Sequence, residues 1–579
     1  MAGLFALGAL VLVVAWSVWT VYSVANDLDE VESKGLLLRQ ELIDGDADGA
    51  RRALTAYQDA AESAESGTSG PTWWLVEKLP IWGDDAAAID TVSGVLADLG
   101  RDALPPLVAA AEEVTAKAFQ PEGAKFPLDA IEDLKRPAAD SEAAFADADA
   151  ALRDEDTRDY IGLVRERYDD LREMVLDARA ALDSAYRAAE LMPTLLGADR
   201  PRNYLLVFQN NAELRSTGGL AGSVLVVHAD GGQVQVVSQE ATANLGERDQ
   251  PLPLTKEERS VFGDQLGKWF LNANLTPDFP RTAELMRDRW EEARSGPIDG
   301  VFLVDPVSIS YLLKATGEIE VPGYQPVNAD NVVALVENEI YRRSADRFVH
   351  DAYQTAVADA VFEEFANGAG NPAAIISGLV DAVLEGRIRM HSFEPEVQKL
   401  IAGTEIAGEF PAEPSDQAAV GVYVNDSTQS KMSYYLEYDS SMVVQSCTGG
   451  VQDLKGTVVF KNNTPDAVDT LPPAVTGVFD PKKSDITPGQ QVVLVYLMSP
   501  IGGQIREIEF DGRELDRPIL EEYKGRQVAT LGMYLDPEQE QVVDFTMRTG
   551  PGQTGAVHLD VTPNAQPGTE SETLRTACF

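Results

Sequence analysis

Residues 202–219 read RNYLLVFQNNAELRSTGG, an apolar segment followed directly by a polar one. The apolar part, residues 204–209, has the length and the aromatic and β-branched content of a strand. The polar part places Asn211, Glu213 and Arg215 at the carboxyl end of that strand, where open α/β sheets usually bind ligands. The stretch therefore predicts an α/β domain with a polar loop at one edge of its sheet.

Two interpretations of this loop are open. Gly218 and Gly219 let backbone N–H groups approach a ligand closely, and the guanidinium of Arg215 could bind a phosphate or a carboxylate. Alternatively, the Asn, Glu and Arg side chains satisfy one another and the loop backbone as a structural plug. The first interpretation predicts an anion site, and the second predicts a loop with no ligand.

Strand and helix patterns continue on the C-terminal side of the loop to about Gly408. The predicted strands are residues 204–209, 223–228, 233–238 and 301–304, and the predicted helices are residues 280–294, 307–315, 329–341 and 346–365. Because strands alternate with helices, we predict a central α/β/α sheet domain over residues 199–415.

On the N-terminal side, residues 27–198 are rich in Ala, Leu, Glu, Asp and Arg and poor in strand-forming residues. Apolar residues from Ile161 to Ala189 recur at steps of three and four, which places them along one face of a helix. A helical bundle or stalk is therefore predicted. The aromatic segment Trp73–Trp82 either caps the core of this bundle or lies at a bilayer interface.

The helical patterns disappear from residue 420 to the end. Predicted strands at residues 432–438, 454–460, 491–498, 541–546 and 556–561 are separated by Gly- and Pro-rich turns. This spacing predicts a β-sandwich over residues 420–579. Cys447 and Cys578 both fall in it, and in an exported protein they are expected to form a disulfide. Two free buried cysteines are the alternative.

The first charged residue of the chain is Asp27, and the apolar run from Leu4 to Ala25 is long enough to cross a bilayer. It predicts a transmembrane anchor over residues 1–26 and a single-pass protein of the cell membrane, with the bulk of the chain extracytoplasmic. The segment 23–25 also resembles a cleavage site, so a removed signal peptide is the alternative. Both interpretations export the protein.

The chain has 47 basic and 94 acidic residues, a formal net charge of -47, which argues against general binding to nucleic acid. Against this background, Arg342, Arg343 and Arg347 form a local basic cluster that predicts a phosphate pocket. The alternative is a solvated helix N-terminus with Asp346 as its early-turn carboxylate. The four histidines lack the spacing of metal ligands, and the sequence has no nucleophile elbow and no Walker loop.

Several motifs together resemble the bacterial domain of unknown function 4012. They are residues 202–219, Asn272-Ala273-Asn274, Pro277-Asp278-Phe279-Pro280, Ile298-Asp299-Gly300-Val301 and the segment 316–323. The resemblance covers nearly the whole exported part, and it implies a membrane-anchored envelope protein without an established activity.

A more distant resemblance is to the LytR-CpsA-Psr phosphotransferases, which move glycopolymers from polyprenyl pyrophosphate onto peptidoglycan. Residues 215–217 are similar to that family's Arg-Ser-Asp-Thr turn, residues 271–273 to its Ile-Asn-Ala motif, and residues 341–343 to its Tyr-Val-Arg-x-Arg segment. Where the family has Ser-Ile-Pro-Arg-Asp, this chain has Ser238-Gln239-Glu240, and the family's Arg-Gln pair is reduced to Tyr353-Gln354.

This resemblance implies one shared pocket. The candidate catalytic residues are Arg215, Asp346 and Glu213, and the candidate substrate-binding residues are Asn211, Asn272, Arg342, Arg343 and Arg347. Glu213 and Asp346 would act as base or as carboxylates for Mg²⁺, the one cofactor implied, and the residues that would hold a metal are left undetermined.

Two functions follow as hypotheses. The first is an exported, membrane-anchored envelope protein that binds or helps to assemble envelope glycopolymers, with little or no catalysis, and whose partner is lipid-linked glycan or peptidoglycan. The alternative is a Mg²⁺-dependent phosphotransferase that acts on polyprenyl-pyrophosphate-linked glycopolymer.

Overall fold

The computed structural model describes residues 23–42, 46–80, 82–113, 123–153, 155, 157, 160–411, 413–465, 468–480, 482–568 and 570–578. These residues group into two compact units. Unit 1 takes the described residues up to Arg200, with 231–233 and 371–374, and unit 2 takes the rest. Apart from residues 199–200, 231–233 and 371–374, the described residues predicted as separate central and C-terminal domains thus fall in one unit.

The predicted transmembrane anchor covers residues 1–26, of which 1–22 lie outside the described residues. Among the helices that the structure describes, none has the length and apolar character needed to cross a hydrocarbon core. The first described helix, over residues 23–42, carries Asp27, Asp29 and Glu30, whose charges are costly in hydrocarbon. The predicted anchor and the single-pass cell-membrane location are therefore corrected: the described helices contain no membrane span.

Unit 1 is helical. Its helices are α1 (residues 23–42), α2 (Ala47–Thr68), α3 (Pro71–Glu77), α4 (Gly83–Asp98), α5 (Leu104–Glu113), α6 (Leu128–Asp133), α7 (Lys135–Arg153) and α8 (Gly162–Leu195). In α8, Tyr168, Val175 and Leu182 recur every seventh residue and pack with Phe145 and Leu152 of α7. This contact confirms the helical seam predicted from the sequence.

The aromatic segment of unit 1 is divided between core and surface. The Trp73 ring is buried, and its Nε1 donates a hydrogen bond to the Ala86 carbonyl at 3.0 Å. Trp74 and Trp82 are 57% and 58% exposed. The core interpretation therefore holds for Trp73 and not for Trp74 or Trp82.

Unit 2 contains a five-stranded mixed sheet in the order β3-β2-β1-β4-β5. Its strands are β1 (Arg202–Asn210), β2 (Leu220–Asp230), β3 (Gln233–Ala241), β4 (Gly300–Val304) and β5 (Arg389–Ser392). Strand β1 pairs in parallel with β4 and antiparallel with β2, and β5 pairs antiparallel with β4. The first four strands match the predicted ones, and β5 was not predicted.

Helices cover both faces of this sheet. They are α9 (Lys256–Phe262), α10 (Gln265–Lys268), α11 (Phe279–Ala293), α12 (Pro306–Thr316), α13 (Val332–Ala334), α14 (Ile340–Arg343), α15 (Arg347–Ala366), α16 (Pro372–Leu384) and α17 (Pro395–Ile401). Leu205 and Val207 of β1 pack in one core with residues of α11, whereas Phe208 packs against a second core that contains residues of α12 and α15. Since successive residues of a strand point to opposite faces, this alternation confirms the predicted α/β/α layering.

The C-terminal part of unit 2 consists of two packed sheets. The strands are β6 (Ala418–Asp426), β7 (Leu436–Thr448), β8 (Val451–Asn462), β9 (Gln491–Met498), β10 (Gln504–Phe510), β11 (Arg513–Glu514), β12 (Leu520–Tyr523), β13 (Arg526–Leu535), β14 (Glu540–Arg548), β15 (Val557–Val561) and β16 (Glu572–Leu574), with a short helix α18 (Pro473–Thr476). The sheet orders are β11-β10-β14-β8-β7 and β12-β13-β9-β6-β15-β16. Inward-facing residues of both sheets form one buried core, which confirms the sandwich.

One disulfide lies within the sandwich, and an apolar contact joins the sandwich to the mixed sheet. Cys447 in β7 and Cys578 near the chain end form the predicted disulfide, across 131 residues of sequence. Tyr423, Tyr496 and Tyr523 of the sandwich pack in the same core as Leu205 and Val207 of β1. The mixed sheet and the sandwich therefore share apolar core within unit 2.

Candidate functional site

The polar loop (residues 211–219) follows β1 and is buried. Asn274 Nδ2 donates hydrogen bonds to the Gly219 carbonyl at 2.7 Å and to Gln209 Oε1 at 3.0 Å. A Cβ at Gly219 would lie 2.4 Å from the Asn210 carbonyl carbon, so only glycine fits there. These contacts agree with the structural-plug interpretation of the loop.

Arg215, the principal predicted catalytic residue, is 6% exposed. Its guanidinium donates to the Leu214 carbonyl at 2.8 Å, to Asn272 Oδ1 at 3.2 Å and to the Asp426 carbonyl at 3.4 Å. Burial lowers the pKa of Arg215 from its usual value, and the nearby Asp426 carboxylate opposes that shift. The predicted pair Arg215 and Asn272 is thus brought together, but it faces β6 of the sandwich.

Glu213 and Ser216 also face the sandwich. Glu213 forms an ion pair with Lys431, and the Ser216 N–H donates to Asn425 Oδ1 at 2.8 Å. Burial lowers the pKa of Lys431 to about 8. Glu213, predicted as a catalytic carboxylate, is occupied by this internal contact, and the polar loop joins the mixed sheet to the sandwich.

Asn211 belongs to a buried charge network. Its N–H donates to Glu337 Oε1 at 2.7 Å and its Nδ2 to Asp305 Oδ2 at 3.2 Å, while Arg387 Nη1 lies 2.9 Å from Asp305 Oδ2. Asp305, Glu337 and Arg387 are all 0% exposed. Sequence reasoning missed these three residues. Only Asp305 carries a local signal, because Asp followed by Pro306 is typical of a helix N-terminus.

The predicted arginine cluster lies where α14 ends and α15 begins. Arg342 is exposed, Arg343 forms an ion pair with Glu339, and Arg347 Nε lies 3.6 Å from Asp351 Oδ2. Asp346 caps α15, since its Oδ1 accepts a hydrogen bond from the Phe348 N–H at 2.9 Å. This contact agrees with the interpretation of Asp346 as an early-turn carboxylate at the N-terminus of a helix.

The four predicted arginines do not line one common cavity among the described residues. Arg215 is enclosed beside the sandwich, Arg347 lines one surface cleft, and Arg343 lines a different, smaller cavity. Arg342 is exposed beside them. The convergence that the phosphotransferase hypothesis requires is not found.

The larger opening, which we call cleft 1, has a volume of about 410 Å³. It lies between β2, β3 and the first turns of α15, and it is lined by Gly222, Ser223, Gln239, Glu240, Ala241, Asn244, Arg347, Phe348, Asp351, Gln354 and Thr355. Phe348 is 78% exposed and lies at the edge of this cleft. Cleft 1 thus combines amide, hydroxyl, carboxylate and guanidinium groups with one aromatic ring.

The polar groups of cleft 1 are held in place by their neighbours. Arg347 donates to Asn244 Oδ1 at 3.3 Å, and Glu240 Oε2 accepts from Arg294 Nε at 2.9 Å. Gln354 Nε2 donates to the Tyr341 hydroxyl at 2.8 Å. Partial burial raises the pKa of Asp351, and Arg347 and His350 oppose the shift. Sequence reasoning did not identify this cleft, since its two halves lie about a hundred residues apart.

Within the part of the chain that the structure describes, no group of three or more His, Cys, Asp and Glu side chains is placed to hold a metal ion. Mg²⁺ stays a prediction of the sequence resemblance.

The comparison with known families reaches only part of the chain. Residues 199–341 match the DUF4012 family model. That family is described as a protein of unknown function. The match supports the DUF4012 resemblance over β1–β4 and includes the β2 and β3 walls of cleft 1, whereas Arg347 and the rest of α15 lie beyond it.

The other comparisons add little. No curated protein matches the chain. A crystal structure of the transcriptional regulator yvhJ from Bacillus subtilis is similar at 13% identity, covers 36% of this chain and 79% of that chain, and has a TM-score of 0.19. A TM-score this low supports no statement about fold or function. The likeness to LytR-CpsA-Psr phosphotransferases is not among these findings and stays a prediction.

Proposed function

We propose that this protein binds, or helps to assemble, glycopolymers of the bacterial cell envelope, and that the sugar chain lies in cleft 1. The observation that carries the proposal is the position of Phe348. Its exposed ring stands beside Asp351 and Asn244, and all three line the same cleft.

This combination fits the chemistry of a sugar. The hydroxyl groups of a pyranose both donate and accept hydrogen bonds, and carboxylate, amide and guanidinium side chains are suited to pair with them. The C–H faces of the same ring are apolar and slightly positive, so they pack against the negative face of an aromatic ring. A polar cleft with one aromatic edge offers both contacts at once.

Two other features support a role in the envelope. The Cys447–Cys578 disulfide is typical of proteins in oxidising compartments. The net charge of -47 keeps the surface soluble and repels nucleic acid, so polymers of sugar are a better match than polymers of nucleotide.

The alternative, phosphotransfer from polyprenyl pyrophosphate, has weaker support. Such chemistry depends on cationic groups that converge on the transferred phosphate. Here Arg215 is committed to the Leu214 and Asp426 carbonyls, and Arg343 and Arg347 line different openings. Among the residues that the structure describes, no contact favours this second function over binding.

The experiment is a binding titration of the purified protein with fragments of cell-envelope polysaccharide, by isothermal calorimetry. Phe348→Ser removes the aromatic edge and should weaken binding about three- to tenfold, the effect of losing a contact worth about 1 kcal/mol. Phe479→Ser is the matched control, because Phe479 is 75% exposed and does not line cleft 1. Equal losses in both variants, or no loss in Phe348→Ser, would contradict the proposal.

A further inference from the structure

The smaller cavity, which we call cavity 2, lies on the other side of α15 from cleft 1. Its volume is about 200 Å³, and its apolar wall comprises Tyr324, Leu335, Ile340, Val349 and Tyr353. Leu335, Ile340 and Tyr353 are buried, whereas Tyr324 and Val349 are 38% and 37% exposed and stand at the mouth. A dry cavity of roughly 150 Å³ holds a benzene ring, so cavity 2 has room for one ring or a short chain with a polar head.

Tyr353 gives this wall an unused polar group. The residue is 2% exposed, and its hydroxyl has no hydrogen-bond partner among the described residues. Its ring lies 4.6 Å from the ring of Tyr324. Buried polar atoms nearly always have a partner, so an unpaired hydroxyl beside a cavity marks a place where a ligand acceptor would be stabilised.

The Tyr353 hydroxyl is a hydrogen-bond donor at neutral pH. Burial raises the pKa of Tyr353 to about 12, and the nearby positive charge of Arg343 opposes that shift. Arg343 and Tyr353 line the same cavity, so both can act on one anionic group bound there.

Arg343 gives the mouth of the cavity its charge. Its side chain is exposed and forms an ion pair with Glu339 in the preceding turn. Arg343 Nη2 lies 3.5 Å from Gln325 Oε1. A guanidinium at the edge of an apolar cavity is well suited to a carboxylate, which it can bind through two parallel N–H groups.

We propose that cavity 2 binds a small organic carboxylate: its ring or short chain packs between Tyr324, Val349 and Leu335, and its carboxylate contacts Arg343 and the Tyr353 hydroxyl. The site is independent of glycan binding in cleft 1, because the two openings share no lining residue.

The test uses the full chain and two probes of the same size, benzoate and benzyl alcohol, with binding measured by ligand-observed NMR titration. Benzoate should bind about fivefold more tightly than the neutral alcohol, as expected for a partly exposed ion pair. Arg343→Gln should remove that preference. Arg342→Gln is the matched control, since Arg342 is the exposed sequence neighbour that does not line the cavity.

Two further variants separate a ligand site from a structural role. Tyr353→Phe should weaken benzoate about three- to tenfold without lowering the melting temperature, because the hydroxyl has no partner within the described fold. Val349→Trp should fill the mouth and abolish binding. The proposal is overturned if wild type does not bind benzoate, if it binds both probes equally, or if Arg343→Gln keeps the preference for benzoate.

Discussion

Glu337 should make the stability of unit 2 depend on pH in a way that one substitution removes. The side chain is 0% exposed, and its Oε1 accepts a hydrogen bond from the Asn211 N–H at 2.7 Å. Burial raises the pKa of Glu337 from 4.5 to about 8, with the Asp305 carboxylate adding to the rise and Arg387 opposing it. At neutral pH this carboxyl group is therefore protonated in the folded chain.

The sign of the effect follows from where the proton is bound. Between pH 4.5 and about 8 the folded chain keeps the Glu337 proton and the unfolded chain has released it. The contribution of Glu337 to the free energy of unfolding is therefore fully present below pH 4.5 and is lost as the pH rises to about 8. At about 1.36 kcal/mol per pH unit, the contribution of this one group is at most about 5 kcal/mol.

Glu337→Gln keeps the shape of the neutral acid and has no proton to release. The glutamine oxygen can still accept the Asn211 N–H, so the variant should be nearly as stable as wild type below pH 4.5 and more stable than wild type above about pH 8. It should lack the Glu337 contribution to the slope. Urea unfolding is followed by the circular dichroism of the β-sheets, whose strands among the described residues lie in unit 2 except for Gln233, the first residue of β3. The reasoning is refuted if wild type and Glu337→Gln lose stability in parallel as the pH rises.

Three other perturbations test contacts that hold unit 2 together. Arg387→Met should lower the free energy of unfolding by about 3–5 kcal/mol, because it leaves Asp305 buried without its cation. The control Arg342→Met, at an exposed position, should change the free energy of unfolding in urea by less than about 0.5 kcal/mol. Equal effects of the two substitutions would argue against the buried network. Gly219→Ala should lower stability by about 1–3 kcal/mol, because it forces a Cβ onto the Asn210 carbonyl carbon. Gly222→Ala should lower stability clearly less, because its Cβ would meet nothing closer than 3.8 Å. Thermal melts of the two variants measure both effects, and a lower melting temperature for Gly222→Ala than for Gly219→Ala would contradict the prediction. Replacing both Cys447 and Cys578 by Ser should lower the free energy of unfolding by up to about 5 kcal/mol, since the bridge spans 131 residues, and an unchanged urea midpoint would contradict this.

Local patterns were enough to predict most of the regular elements. The runs that became β1 and β4 are apolar on both faces, and α8 carries a seven-residue apolar repeat, so period and composition identify them. Strand β5 was missed because its four residues include Arg389 and His391, which are not typical strand-forming residues. Polar residues in a short strand leave no periodic signal.

The site was harder to predict because it depends on contacts between distant parts of the chain. The sequence predicts Arg215 as a ligand-binding residue, because its acceptor, the Asp426 carbonyl, lies 211 residues away along the chain and cannot be recognised locally. Glu337 lies in the segment Glu337-Asn338-Glu339, whose composition is that of the exposed side of a helix, yet Glu337 is buried. Sequence gives the residue types of a polar loop, but only the fold decides whether they face a ligand or another part of the protein.

The most direct test of glycan binding in cleft 1 is amide hydrogen exchange of the whole chain, with and without a saturating envelope oligosaccharide. Binding should slow exchange in the first turns of α15, residues 347–355, and at the end of β3, residues 239–241, which line the cleft. Protection that appears only elsewhere, or no protection at either segment, would contradict the account.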